Sequence, residues 1–434
     1  MPLSLCIIGA GSRFSFGIAA DLIREPHFAG STLALVDPDE RALDTSTRIV
    51  NRMVAQSKAD LTIVSSADRR DVLAGCDYVL NSIAVGEPFA RERDVAIGEQ
   101  HGIYQPTSQT VGPAGYFRGL RVLPHAVGIA EDVAELCPDA TIIDLANPLA
   151  AVCRSMIRSS GRPVIGLCEQ WAVTQKFFAR VLEVSEEELL LNSVGTNHLT
   201  WAIGLEYKGR EILGEVVAAL HEPENKSFLD EVPVSAQTYR AFGAWPTGTE
   251  EHIAEFFNYF LSEETNGGAD LGMRIRHVSE EQWDERWKER ESWANGDASI
   301  DHLLGPSGEN AVEIIAALEG FHPPITEMVN IPNQGLIDDL PDEAIVELPA
   351  RIGPSGVQGL KVGPLPPAVR ETLRSRITQQ ELQIDAALSG NRDLALRGLL
   401  FDAQITSLKV ADEIMDASIE ANAEFLPRFK GKGA

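Results

Sequence analysis

The chain has 434 residues, enough for two domains that each bury a core. Its 37 basic and 64 acidic residues give a formal net charge of −27, so the surface repels phosphate backbones and anionic lipid heads, which argues against nucleic-acid and membrane partners. The five cysteines are widely spaced, the N-terminus lacks a basic leader and no apolar run approaches about 20 residues, so a cytoplasmic location with reduced thiols is expected.

The first apolar run, LSLCII at 3–8, meets Gly9, Gly11 and a helical pattern reaching Arg24, and TLALV at 32–36 closes on Asp37. This order predicts a βαβ unit. Backbone N–H groups of Gly9-Ala10-Gly11-Ser12, with the positive end of the helix, suit a pyrophosphate, and Asp37 suits a ribose diol. A third glycine is missing from position 14, which is Phe14. The same residues also fit a tight-packing turn with Asp37 as a helix N-cap.

Further apolar runs at 61–64, 77–83, 140–145 and 163–167 alternate with helical patterns at 119–135 and 172–183. Alternation of this kind predicts an α/β fold with a doubly wound, parallel, Rossmann-like sheet. Asn81, in the fourth run, belongs with Gly9, Gly11, Ser12 and Asp37 on the cofactor side. Near residue 190 the rhythm changes to strands around Lys208-Gly209 and then to helices. The expected division is a cofactor-binding domain at 1–190 and an α+β domain for substrate and metal at 191–434. Pro- and Gly-rich stretches occupy 330–341 and 350–367, and amphipathic helices fill 367–424.

Three chemistry-bearing residues follow strands or fill a turn: Asn147 in DLANP, Cys168 in GLCEQ and His198 in GTNHLTW. Carboxyl ends of parallel strands face the crevice where doubly wound sheets bind ligands. One thiolate and one imidazole suit a first-row divalent ion that keeps positions open for substrate oxygens. By spacing alone, Cys168 reads as a small buried hydrophobe and His198 as a satisfied core or surface histidine, ahead of a metal site.

In the stretch from Tyr239 to Phe260, Glu250, His252, Glu255 and Tyr259 fall on one predicted helix, with His252 and Glu255 sharing a face. The alternative reading packs Phe256, Tyr259 and Phe260 as core and leaves Glu250, Glu251 and Glu255 as solvated N-terminal charges. Arg91, Arg93 and Arg118 suit a substrate anion or ordinary ion pairs with nearby acids.

Motifs along nearly the whole chain resemble the family 4 glycoside hydrolases: IIGAGS at 7–12, RERDVAIGEQHGI at 91–103, TVGPAGYFRGLR at 110–121 and IIDLANP at 142–148. GLC at 166–168, GTNHLTW at 195–201, HIAEFF at 252–257, NIPNQGLIDDLP at 330–341 and VGPLP at 362–366 continue the series. The resemblance implies a sheet like that of lactate and malate dehydrogenases, bound NAD, and a divalent metal, Mn²⁺ first among candidates, held by Cys168 and His198. It implies a small-molecule glycoside as partner, with Asn147, Arg93, Asn197 and Glu169 on the substrate side. It implies Tyr239, Glu250 and His252 as catalytic candidates, and a homodimer or homotetramer.

The reaction so implied cleaves an α-linked hexoside or hexuronide: transient NAD-dependent oxidation at C3, removal of the C2 proton, elimination at C1, then addition of water and return of the hydride. Three residues depart from the family pattern, Glu169 after the cysteine and the pair Glu250-Glu251 where relatives often carry Asp-Arg. Two other functions share the sequence features: an NAD-dependent 2-hydroxy acid dehydrogenase of the lactate/malate type, and a catalytically silent sugar- or NAD-binding protein.

Overall fold

A computed structural model describes residues 2–429. Six parallel strands form its first half: β1 Ser4–Ile8, β2 Ser31–Val36, β3 Leu61–Ser66, β4 Tyr78–Asn81, β5 Thr141–Asp144 and β6 Val164–Gly166. They lie in the order β3-β2-β1-β4-β5-β6. The inner strands are apolar on both faces because helices cover both. β3, at the edge, alternates instead between half-buried and exposed residues. Strand order reverses between β1 and β4, which opens a crevice at their carboxyl ends.

The sheet does not stop at β6. Seven more strands extend it: β7 Leu189–Thr196, β8 Leu199–Tyr207, β9 Arg210–Glu211, β10 Pro246–Thr247, β11 Ile325–Pro332, β12 Ile345–Gly353 and β13 Gly356–Gly359. β11 bonds to β6 through Asn330 opposite Gly166, and β12 bonds to β7 through Glu347 opposite Gly195. One sheet therefore runs β3-β2-β1-β4-β5-β6-β11-β12-β7-β8-β10, with β13 on β12 and β9 on β8. β11 to β13 overlap the two stretches read from sequence only as Pro- and Gly-rich. Pro332 and Pro349 lack the N–H that a ladder uses, which hides these strands from local propensity.

Two apolar cores flank the parallel half of the sheet. On one face, helices Gly112–Leu136 and Leu149–Ser160 pack with the C-terminal helices Pro367–Ser389 and Leu408–Ala421. On the other, helices Phe14–Arg24 and Glu40–Ser57 pack with Ala311–Leu318. Chain from beyond residue 190 thus completes both cores of the first half. The fully buried pair Asp94 and Arg121 receives Asn422 from the C-terminal segment, whose Nδ2 donates to Asp94 Oδ1 at 2.8 Å.

Helix Gly112–Leu136 matters to the site because its start is fixed by side chains. Gly112 N donates to Asp402 Oδ2 at 2.8 Å and Ala114 N to Gln105 Oε1 at 2.9 Å, satisfying donors that a helix start leaves free. Pro113 in the first turn loses nothing there. The loop before this helix, residues 107–110, is thereby held against the carboxyl end of the sheet.

Candidate active site

At the crevice, Gly9 adopts φ +94°, and a Cβ on it would lie 2.8 Å from the Ser82 backbone. Only glycine fits this approach of β1 to β4. Gly9 N and Ala10 N both donate to Val36 O, and Ser12 N donates to Gly9 O at 3.0 Å. Asp37 Oδ2 accepts from Gly11 N at 2.8 Å and Oδ1 from Asp39 N at 3.0 Å. The reading of Asp37 as helix N-cap is corrected: Asp39 caps helix Glu40–Ser57 by accepting from Arg41 N and Ala42 N. Asp37 is left at the turn, where burial raises its pKa.

A buried polar row crosses the sheet at one register. Asn81 lies opposite Asp144, Asp144 opposite Gly166, Gly166 opposite Asn330, and Asn330 opposite Glu347. Asn81 Nδ2 donates to Asp144 Oδ1 at 2.7 Å while its Oδ1 has no protein partner. Burial pushes Asp144 and Glu347 each up to about 7. Glu347 accepts from Asn197 Nδ2 at 3.0 Å and Asn330 Nδ2 at 3.1 Å. Asn197 also hydrogen-bonds the Cys168 thiol, which burial and the Glu347 charge hold far above the ordinary thiol range.

His198 sits beside Asn197 in the two-residue turn joining β7 and β8, with φ 66°. A non-glycine residue in this region is uncommon and is held by its surroundings. Its Nδ1 pairs with Thr110 Oγ1 at 2.8 Å, which leaves Nε2 as the nitrogen for a ligand. Burial, with His252 and Arg118 nearby, keeps this imidazole neutral. His252 packs against it edge to face, ring centroids 4.3 Å apart. His252 Nδ1 pairs with Thr249 Oγ1 at 2.7 Å, and burial lowers its pKa to about 4.

Loop 107–110 joins these groups. Gln109 Oε1 lies 3.4 Å from both Asn147 Nδ2 and His252 Nε2, and Thr110 holds His198. Thr107 and Ser108 bind Glu255, whose carboxyl burial raises to about 7. His252 and Glu255 therefore share a face toward one loop, as their spacing predicts. Arg118 lies beside Asn147, donating to its carbonyl at 3.1 Å and to Glu87 at 2.9 Å. Sequence reasoning missed Gln109, Thr110, Asn330 and Glu347 as site residues; Thr110 and Asn330 lay within matched motifs, and Glu347 carried no local signal.

The structure places other candidates apart from this cluster. Glu250 accepts from Val234 N at 2.6 Å and from Ser235 N and Oγ, so it serves the start of helix Pro233–Phe242. Tyr239 packs between His221 and Trp245, ring centroids 5.4 and 5.9 Å away. Arg93 donates to Asn422 at 2.8 Å and Glu424 at 2.9 Å, and Arg91 pairs with Glu92. Glu169 is half-buried beside Glu309 and Glu327, with Oε1 unpartnered, and this environment pushes its carboxyl up to about 7. The helix predicted through Tyr259 is shorter, Glu250–Glu255, and Tyr259 is exposed. Among the described residues no helix is long and apolar enough to cross a membrane.

The donors present fit the groups expected of them. The N–H groups of Gly9, Ala10, Gly11 and Ser12 are all taken up within the turn, which corrects the expected pyrophosphate cradle; the close backbone approach at Gly9, the Asp37 carboxylate and the orphan oxygen of Asn81 are what suit a dinucleotide at the crevice. A thiol and an imidazole whose far nitrogen is already fixed suit a borderline divalent ion.

Comparison with known proteins agrees. Residues 4–184 match the family described as Family 4 glycosyl hydrolase, and 193–405 match the Family 4 glycosyl hydrolase C-terminal domain. An alpha-galacturonidase of Thermoanaerobacterium saccharolyticum is 29% identical, over 99% of this chain and 98% of its own. Other relatives are named alpha-glucosidase and alpha-galactosidase. A 6-phospho-alpha-glucosidase from gut microorganisms, in complex with NAD and Mn²⁺, superposes with a TM-score of 0.83 at 22% identity, covering 98% of this chain and 99% of its own. Malate dehydrogenase from Plasmodium falciparum shares the fold at a TM-score of 0.53 and 14% identity, covering 91% of this chain and 99% of its own. The chain belongs to the family 4 glycosyl hydrolases and is a glycosidase.

Proposed function

We propose that this glycosidase cleaves an α-linked hexoside or hexuronide by transient oxidation at C3, using NAD and a divalent cation, Mn²⁺ first. One observation carries the reading: loop 107–110 touches Asn147, His198 and His252, while Asn197 ties His198's turn to Cys168. Direct glycoside cleavage needs two carboxyl groups flanking the bond. Here the groups converging on the loop and turn are imidazoles, amides and a thiol, and the nearby carboxyls Glu255 and Glu347 are taken up by Thr107, Ser108, Asn197 and Asn330.

When bound, NAD supplies reversible hydride transfer and the cation Lewis acidity, which together acidify the C2 proton of the sugar. Gly9, Gly11, Ser12 and Asp37 would seat the dinucleotide, with Asn81 at its sugar-facing side. Cys168 and His198 would hold the cation. Asn147 orients a sugar hydroxyl, with Arg118 fixing its backbone from behind. His252 is neutral at physiological pH, its Nδ1 pairs with Thr249 and its Nε2 lies 3.4 Å from the Gln109 amide oxygen, which places it to handle a proton in the site. The relative names support α-linked substrates, neutral or uronic.

The test is a panel of α-glucosides, α-galactosides, α-uronides and their phosphorylated forms, incubated with NAD and Mn²⁺ in deuterated water. Aglycone release without accumulating NADH, with deuterium entering at C2, is the expected result. Turnover with no exchange at C2, or net NADH from a simple hydroxy acid, would overturn it.

A further inference from the structure

A second cluster of metal-ligating side chains lies at the far end of helix Phe14–Arg24. Glu25 follows that helix, His27 sits in the turn Pro26–Phe28, and His322 comes from the segment after helix Ala311–Leu318. Glu25 Oε1 meets His27 Nδ1 at 2.5 Å, and Oε2 meets His322 Nε2 at 2.8 Å. The three ligand atoms all lie within 4.8 Å of one another.

We propose that Glu25, His27 and His322 form a binding site for a borderline divalent cation of the zinc type, separate from the catalytic pair. The donor set is two imidazoles and one carboxylate, a combination such ions prefer. It is also pre-formed. His27 stacks on Phe321 with centroids 5.2 Å apart and planes 14° from parallel, and His322 stands edge-on to His27 at 5.5 Å. Phe321 is in turn wedged against Phe28 at 5.7 Å. The backbone of the 320s segment is anchored too, since Phe321 N donates to Ala316 O at 2.8 Å.

The surroundings favour a cation and leave it room. Glu25 and His322 line a cleft of about 430 Å³ that also presents Asp21, Glu309 and Glu313 against the single cation Arg24. A ligand water or an exogenous anion can complete the shell from that cleft. On binding, the ring nitrogens that now face the carboxylate give up any hydrogen they carry and offer lone pairs to the ion. The donor atoms then spread to about 3.3 Å apart, the spacing set by bonds near 2 Å to a tetrahedral ion. The ion would clip the connection between helix Phe14–Arg24 and β2 to the connection between helix Ala311–Leu318 and β11, segments 297 residues apart.

This site does not depend on the proposed function. The test uses full-length protein stripped by chelator, with Cys168→Ser to silence the catalytic pair, titrated with Zn²⁺ by calorimetry and with Co²⁺ by absorption. One stoichiometric Zn²⁺ event is expected in the Cys168→Ser protein, with a Co²⁺ spectrum free of thiolate charge transfer. Adding His322→Gln, or separately His27→Gln, should weaken it on the order of a hundredfold. Both histidines are partly exposed, so these variants should keep their circular dichroism and thermal midpoint in the absence of metal. No Zn²⁺ event in Cys168→Ser, or an event that both glutamine variants leave unchanged, would overturn the assignment.

Discussion

The imidazoles of His198 and His252 meet edge to face, centroids 4.3 Å apart and planes at 76°. They come from different parts of the sheet's second half, one in the turn after β7, the other in the short helix after β10. Each has one ring nitrogen already held by a threonine, Thr110 for His198 and Thr249 for His252. Two imidazoles that burial keeps neutral are thereby fixed in direction.

If His252 accepts a proton in the reaction, His252→Asn should lower kcat by about 10²- to 10⁴-fold. Binding of NAD, followed by fluorescence, should not change. A kcat within a few-fold of the parent would remove His252 from the chemistry.

Asn197 reaches both Cys168 and Glu347, so it orients the thiol without being a ligand itself. Asn197→Ala should weaken Mn²⁺ binding by about 10- to 100-fold, read by electron paramagnetic resonance of the free ion. Unaltered Mn²⁺ affinity would show that this amide serves packing alone.

Gly9 combines a left-handed φ with backbone contact to Ser82. Gly9→Ala should cost on the order of 1–3 kcal/mol from conformation alone, before the clash is counted. The thermal midpoint should fall and NAD binding weaken by more than about tenfold. A variant that binds NAD normally would contradict the placement of the cofactor at this turn.

Burial pushes Asp144 up to about 7, whereas the unfolded chain holds such a carboxyl near about 3.9. The folded state binds this proton more tightly. The resulting stabilisation is complete below about pH 4 and is lost as pH rises through about 7. Asp144→Asn removes that loss, so its thermal midpoint relative to the parent should rise by a few degrees between about pH 5 and pH 8. A pH-independent difference would mean that Asp144 does not titrate in this window.

Local pattern carried much of this protein. Apolar runs separated by helical periodicity are a property of neighbouring residues, so the parallel strands, the glycine turn and Asp37 were legible. So was the shared face of His252 and Glu255, because i,i+3 geometry needs nothing beyond one helical turn. Glu250 and Tyr239 show the limit of that logic. Both lie close to His252 in sequence, yet one carboxylate is drawn to the free N–H groups of a helix start and the other ring to an aromatic cluster.

The sequence by itself determined the residue types, the βαβ rhythm and the turn that makes the crevice, all from interactions between residues a few positions apart. Only the tertiary structure decided that β11 and β12 join the sheet between β6 and β7. That insertion carries Asn330 and Glu347 into register with Asp144 and brings Asn197 toward Cys168. Hydrogen-bond ladders between strands distant in the chain set this register, and their alignment depends on which edges meet, a fact that no local window contains.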